Sequence, residues 1–242
     1  MNFLINLFKQ SSIGSILFFL VLSAGPTVLW LIFCLWLDKK QPEPKYQIFK
    51  TFFAGGIITL PLLIIAGFLT VLIKNVLVAG LFNILIISFL IDGVVEEFAK
   101  YIVLRVAIVR FQYLDELKDG MIYGMVLGLG FAFVENVLYG LSVGVTTGTS
   151  LVLIRGFSTT LLHFLTGGII GFFIVKTLVS SRKYKYFNYF GFLIAVLIHG
   201  SYNLVTRLGF TWQIIFPVLA LFLTYLYIFS NLKLAHPLNA KE

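Results

Sequence analysis

Apolar residues fall in long blocks separated by short polar stretches, and each block is near or above the 20 or so residues that a bilayer-spanning helix needs. The blocks run Ile13 to Leu37, Thr51 to Ile73, Asn75 to Arg110, Gly120 to Leu141, Ser150 to Val179, Phe187 to Arg207 and Trp212 to Leu232. The first far exceeds the core of a signal peptide, about 7 to 15 residues, and reads as an uncleaved membrane helix. The third would make a helix of roughly 54 Å against a hydrocarbon core of about 30 Å. A bend or break is therefore expected around Asp92 and Gly93. The pattern predicts an all-α, polytopic membrane helix bundle of about seven transmembrane helices, or eight if the third run crosses twice.

Composition agrees. Of 242 residues, 60% are hydrophobic and 12% charged, and the mean hydropathy of +1.01 leaves no room for a separate soluble domain. The whole of 1–242 reads as one membrane-embedded domain. The net charge of +8 does not point to nucleic acid, because the bases cluster between apolar runs, where they act as orientation signals. Lys39, Lys40, Lys45, Lys50, Arg105, Arg110, Lys118, Arg182, Lys183, Lys185, Lys233 and Lys241 collect on one side if the segment after the first span is cytoplasmic, while Lys9, Lys74 and Arg207 stay on the other. That asymmetry predicts an N-terminus outside and a cytoplasmic C-terminus. Cys34 is the single cysteine, so the chain holds no disulfide framework. No feature sets an oligomeric state.

Gly120, Gly124, Gly128 and Ala132 recur at spacing four and form a small-residue stripe that lets another helix approach closely. More informative are the ionisable residues inside the spans: Asp92, Glu96, Glu97, Lys100, Glu135, Arg155, His163 and His199. A charge at a helix centre costs about 2.5 to 3.5 kcal/mol on insertion scales, so such groups face a bundle interior, pair with one another and mark function. Spacing four stacks Asp92, Glu96 and Lys100 on one helix face, with Glu97 about 100° away. Counted at about 1.5 Å per residue, Glu96, Glu135, His163 and His199 lie roughly 18 to 24 Å from the cytoplasmic ends of four different spans. One site lined by all four is the economical reading. His199 and Asn203 share a face and can address one small group. Arg155, Arg207 and Lys176 read as snorkelling side chains, and His236 as solvated. The small, uncharged loop Ser142 to Thr149 suits a mobile lid.

At these residues the sequence resembles the PrsW family of intramembrane proteases, related to the CAAX-prenyl and bacteriocin-processing membrane proteases. The likeness rests on Glu96-Glu97-x-x-Lys100, Phe131-x-x-x-Glu135, the segment from Arg155 to His163, and His199-x-x-x-Asn203, within about residues 92–203. The wider superfamily usually has Arg after the paired Glu and His where Glu135 stands, and this chain departs from it as PrsW-like members do. The resemblance implies a bacterial, multi-pass cell-membrane protease that cleaves a membrane-anchored protein, with anti-sigma factors the family's substrate class.

Peptide hydrolysis needs a held and activated water and a stabilised oxyanion. Glu96 or Glu97 would be the base, Glu97 being favoured, with Lys100 fixing the pair's charge and Arg155 in support. His199 and Asn203 would polarise the carbonyl, and Glu135 and His163 would position the water. Glu135, His163 and His199 also make a two-His, one-carboxylate set that permits catalytic zinc without demanding it. The main rival is a proton- or cation-coupled transporter, since relays use the same residue types. A noncatalytic scaffold leaves the buried layer unexplained.

Overall fold

A computed structural model describes residues 11–76, 80–108, 114, 116–179 and 186–209. The seventh expected span, Trp212 to Leu232, and His236 lie outside the described residues. All described elements are helical: α1 (Ile13–Leu37), α2 (Lys45–Val76), α3 (Leu81–Ile86), a π-helical segment (Ile87–Val95), α4 (Glu96–Ile108), α5 (Leu117–Phe157), α6 (Thr159–Val179) and α7 (Phe187–Arg207). Among the described residues, four stretches are long and apolar enough to cross a membrane: Ile13–Leu37, Lys45–Lys74, Leu117–Leu178 and Phe187–Arg207.

Local chemistry sets several boundaries. Ser12 caps α1 reciprocally, its Oγ accepting the Ser15 N–H at 3.1 Å while Ser15 Oγ accepts the Ser12 N–H at 2.8 Å. Asp38 ends α1 and accepts the Glu43 N–H at 2.8 Å, which closes the turn into α2. The same turn is tied to the start of α5 by a Lys118–Asp38 pair at 3.6 Å and a Tyr123–Glu43 hydrogen bond.

The 62-residue stretch Leu117–Leu178 is two antiparallel legs. Gly144 reverses the chain at φ 81°, a conformation that a side chain resists. The stripe then works as a zipper. A Cβ on Gly124 would lie 2.0 Å from the Gly167 carbonyl oxygen, and one on Gly128 2.0 Å from that of His163. The first leg of α5 is central and buried on all sides from Asp119 to Ala132, with α2 closing another face where Gly130 meets the Phe52 carbonyl. Phe19 of α1 fills the niche between Gly140 and Gly148.

Three expectations change. Ser142 to Thr149 is helical on both sides of Gly144 and is no free loop. The run from Ser150 to Val179 is interrupted at Ser158, where α5 ends and α6 begins. The run from Asn75 splits: Asn75 and Val76 finish α2, and Gly80, at φ 146°, precedes α3. The break foreseen at Asp92–Gly93 takes the form of the π-helical segment.

Backbone-to-backbone approach makes the zipper intolerant of any added side chain. Gly124→Ala should destabilise the protein by about 1 to 3 kcal/mol, the usual range for overpacking. Gly25→Ala, which meets nothing within 4 Å, should be neutral or slightly stabilising on helix propensity. Thermal unfolding in detergent compares the two.

Candidate active site

The residues at the centre come from four elements. α4 supplies Glu96, Glu97 and Lys100, α5 Glu135 and Arg155, α6 His163 and Thr166, and α7 His199. Lys100, wholly buried, donates to Glu97 Oε1 at 2.7 Å, to His163 Nδ1 at 2.8 Å and to Thr166 Oγ1 at 3.3 Å. It also lies over the Phe131 ring, 5.0 Å from its centroid. An ammonium can only donate, so His163 Nδ1 accepts and the ring proton sits on Nε2, directed at Glu135 Oε2 2.9 Å away. The same Glu135 oxygen, Oε2, also pairs with Arg155 at 2.8 Å.

Arg155 does not snorkel. Its Nε donates to Asn136 Oδ1 at 2.9 Å, Asn136 donates on to Thr160 at 2.9 Å, and the guanidinium stacks 4.0 Å from the Tyr139 ring centroid. Arg207 likewise pairs with Asp92, and donates to Ser88 at 3.1 Å. Lys176 sits over the rings of Phe172 and Phe187.

Glu97 and Glu96 are adjacent and differently placed. Glu97 Oε1 meets Lys100, Thr166 at 3.3 Å and His199 Nδ1 at 2.5 Å. In the neutral imidazole this leaves the Nε2 lone pair of His199 turned towards Glu96 Oε2, 3.7 Å away. Glu96 accepts no hydrogen bond among the described residues, and its buried Oε2 is unpartnered. A cavity of about 400 Å³ reaches it, lined along α2 by Leu63, Ala66, Gly67, Thr70, Val71 and Lys74 and closed by Asp92, Tyr139 and Arg207.

Donor atoms of Glu96, His163 and His199 lie within 4.8 Å of one another, all three residues buried. Two imidazoles and a carboxylate suit zinc. Each imidazole also turns its other nitrogen to a carboxylate, His199 to Glu97 and His163 to Glu135, as metal-bound histidines commonly do. The donor set fits a divalent ion, with one competitor: the Lys100 ammonium occupies His163 Nδ1.

The family model for PrsW family intramembrane metalloproteases matches residues 43–230. The chain belongs to this family. Protease PrsW of Bacillus subtilis strain 168 is 30% identical over 197 residues, covering 80% of this chain and 86% of the relative. Protease PrsW of Oceanobacillus iheyensis is 30% identical over 195 residues, covering 79% and 84%. That of Clostridioides difficile strain 630 is 27% identical over 190 residues, covering 76% and 79%. No solved structure matches the chain. As a PrsW family member it is a peptidase, a multi-pass membrane protein acting on protein, and neither the family nor these relatives support the transporter reading.

Seven of the eight site residues named from the sequence thus join one network: Glu96, Glu97, Lys100, Glu135, Arg155, His163 and His199. The eighth, Asn203, is half-buried one turn further along α7 and makes no hydrogen bond among the described residues. Sequence reasoning missed Thr166, Asn136 and Thr160. Thr166 was reachable, three residues from His163 and so on its helix face. Asn136 and Thr160 gave no signal until Arg155 was seen to turn into the bundle towards Glu135.

Removing one partner of a buried ion pair leaves the other uncompensated, typically at about 3 to 5 kcal/mol. Lys100→Met should therefore destabilise the protein by that order. The double variant Lys100→Met with Glu97→Gln should lose less than the sum of the two single changes, as coupled neighbours do. Thermal or denaturant unfolding of the four proteins completes the cycle.

Proposed function

We propose that the chain hydrolyses a peptide bond of a membrane-anchored protein in the bacterial cell membrane, with Glu96 as the group that activates water. The observation that carries this reading is the Glu96 carboxylate, unpartnered at the end of a cavity and facing the open nitrogen of His199. Glu97 is the acid favoured by sequence, but three donors engage its Oε1. A carboxylate so occupied is a better anchor than a base.

The cavity supports a route for substrate. Its α2 wall runs from Leu63 to Lys74, roughly 16 Å at 1.5 Å per residue, which accommodates about five residues of extended chain. A helix, about 10 Å across with its side chains, does not fit a volume of this size, so the substrate segment is unwound where it is cut. With seven crossings and the N-terminus outside, Lys74 and Arg207 mark the outer mouth. The substrate would be a single-span protein of the anti-sigma-factor-like class, cut near the outer membrane edge.

In the reaction Glu96 takes a proton from water as the water oxygen attacks the scissile carbonyl, then returns it to the departing amine. His199, held in one orientation by Glu97, presents Nε2 to the same water. Asn203 offers its amide to the developing oxyanion. Glu135, clamped by Arg155, fixes the His163 ring. Glu96, His163 and His199 would hold a divalent ion, zinc being the best match to the donors, which when bound would polarise the carbonyl and acidify water; Glu96 would then ligate through Oε2 and take the proton on its other oxygen.

In proteoliposomes with a single-span substrate, Glu96→Gln should slow cleavage by about 100- to 10,000-fold, the usual worth of a positioned acid or base, with unfolding temperature unchanged. Asn203→Ala should cost about 100- to 1000-fold, as loss of one oxyanion donor does. Chelation should abolish activity and zinc restore it. Cleavage by Glu96→Gln at the parent's rate would overturn the assignment.

A further inference from the structure

The segment just before Glu96 is π-helical over nine residues. Such i→i+5 stretches are rare, usually confined to a single turn, and concentrated at functional sites. Something must hold this one in place, and α7 meets it at three levels. A Cβ on Gly93 would lie 3.1 Å from the Val196 carbonyl oxygen, and one on Gly200 2.4 Å from the Phe89 ring, so the two backbones are in close contact. Beyond them Arg207, at the end of α7, pairs with Asp92 and donates to Ser88 at 3.1 Å. Asp92 is 9% exposed, and both it and Arg207 line the cavity that reaches Glu96.

Two of these three contacts are steric approaches with no hydrogen bond or ion pair between them, and could slide. The ion pair is directional, and it joins the element that leads into Glu96 to the element that carries His199. Relaxation of the segment to α-helix would change its register by a residue, turning Glu96 by about 100° relative to the residues before it. We propose that the Asp92–Arg207 pair is a positioning device for the reaction: it fixes the π register and so aims the Glu96 carboxylate at His199. The inference rests on Glu96 as the water-activating group. Neither Asp92 nor Arg207 touches the reacting atoms in this reading. They act through where Glu96 points.

The test uses full-length protein in proteoliposomes and two readouts. In the first, Asp92→Asn and Arg207→Gln should each lower kcat about 100-fold, as misplacement by about an ångström does. KM should stay within about threefold, since groove contacts along α2 persist. The charge-swapped pair, Asp92→Arg with Arg207→Asp, should recover at least about tenfold over the poorer single variant. In the second, spin labels at the exposed positions Phe98 and Leu197, 51% and 50% accessible, report the distance between α4 and α7. Either single substitution should broaden the distribution or move it by about 1.5 Å or more, one residue of helix rise, and the swap should restore it.

Single variants that keep the parent's kcat, or distances that ignore both substitutions, overturn the positioning role and leave the protease reading intact. So does equal loss in both singles with no recovery on swapping, in protein that unfolds at the parent's temperature. Distances that respond and recover, in a protein whose Glu96→Gln variant cuts at the parent's rate, support the register device and overturn Glu96 as the water-activating group instead.

Discussion

Three buried carboxylates share the middle of an apolar bundle with one buried and one half-buried cation, and among the described residues they do not balance. Lys100 serves Glu97 and Arg155 serves Glu135, while Glu96 has no cation of its own among the described residues. Burying an uncompensated charge is expensive enough that the group acquires a proton or a counter-ion instead. Glu96 therefore has to draw on something outside the fixed network, either a proton from water or a cation from solution. Glu96 lines the cavity, through which either could come. Everything else in the centre either enforces the imbalance or keeps it in place.

The backbone geometry follows from the same requirement. Glu135 reaches His163 at 2.9 Å because α5 and α6 run in near backbone contact, and they do so because glycine stands at each crossing point on α5. With a larger residue there the legs separate, and the His163 ring loses the carboxylate that orients it. Gly144 matters in a different way. By turning the chain back at once, it places Arg155 opposite Glu135 rather than at a membrane edge. A stripe that looks like packing and a single reversal together determine which acid is paired.

The apolar blocks, the membrane class and the layer of acids and imidazoles were all legible, because each depends on spacing along one helix or on bilayer thickness. Glu96, Glu97, Lys100, Glu135, His163 and His199 could be gathered that way. What was not legible depends on relations between helices. Arg155 resembled a snorkelling residue until the Gly144 reversal was known, since depth counted along an uninterrupted span puts it near the edge. The π register was hidden too. Its residues, Ile87 to Val95, offer only Asp92 and Gly93 as signs of irregularity. Most consequential, adjacent glutamates cannot be ranked from sequence, because a 100° turn decides which meets lysine.

That turn divides the labour. A base must be able to accept a proton and later give it up, and a carboxylate with one oxygen already engaged by a buried ammonium, a hydroxyl and an imidazole is the poorer candidate. Glu97 is in that position, and in the proposed reaction it orients His199. Glu96 is free of such partners and close enough to the same imidazole to share one water with it. In the proposed reaction the two neighbouring carboxylates, with their different environments, take opposite roles, the pattern by which an active site separates its proton carrier from its fixed charges. The substrate carbonyl need only reach the unpaired one, and the cavity leads to Glu96 without touching Glu97.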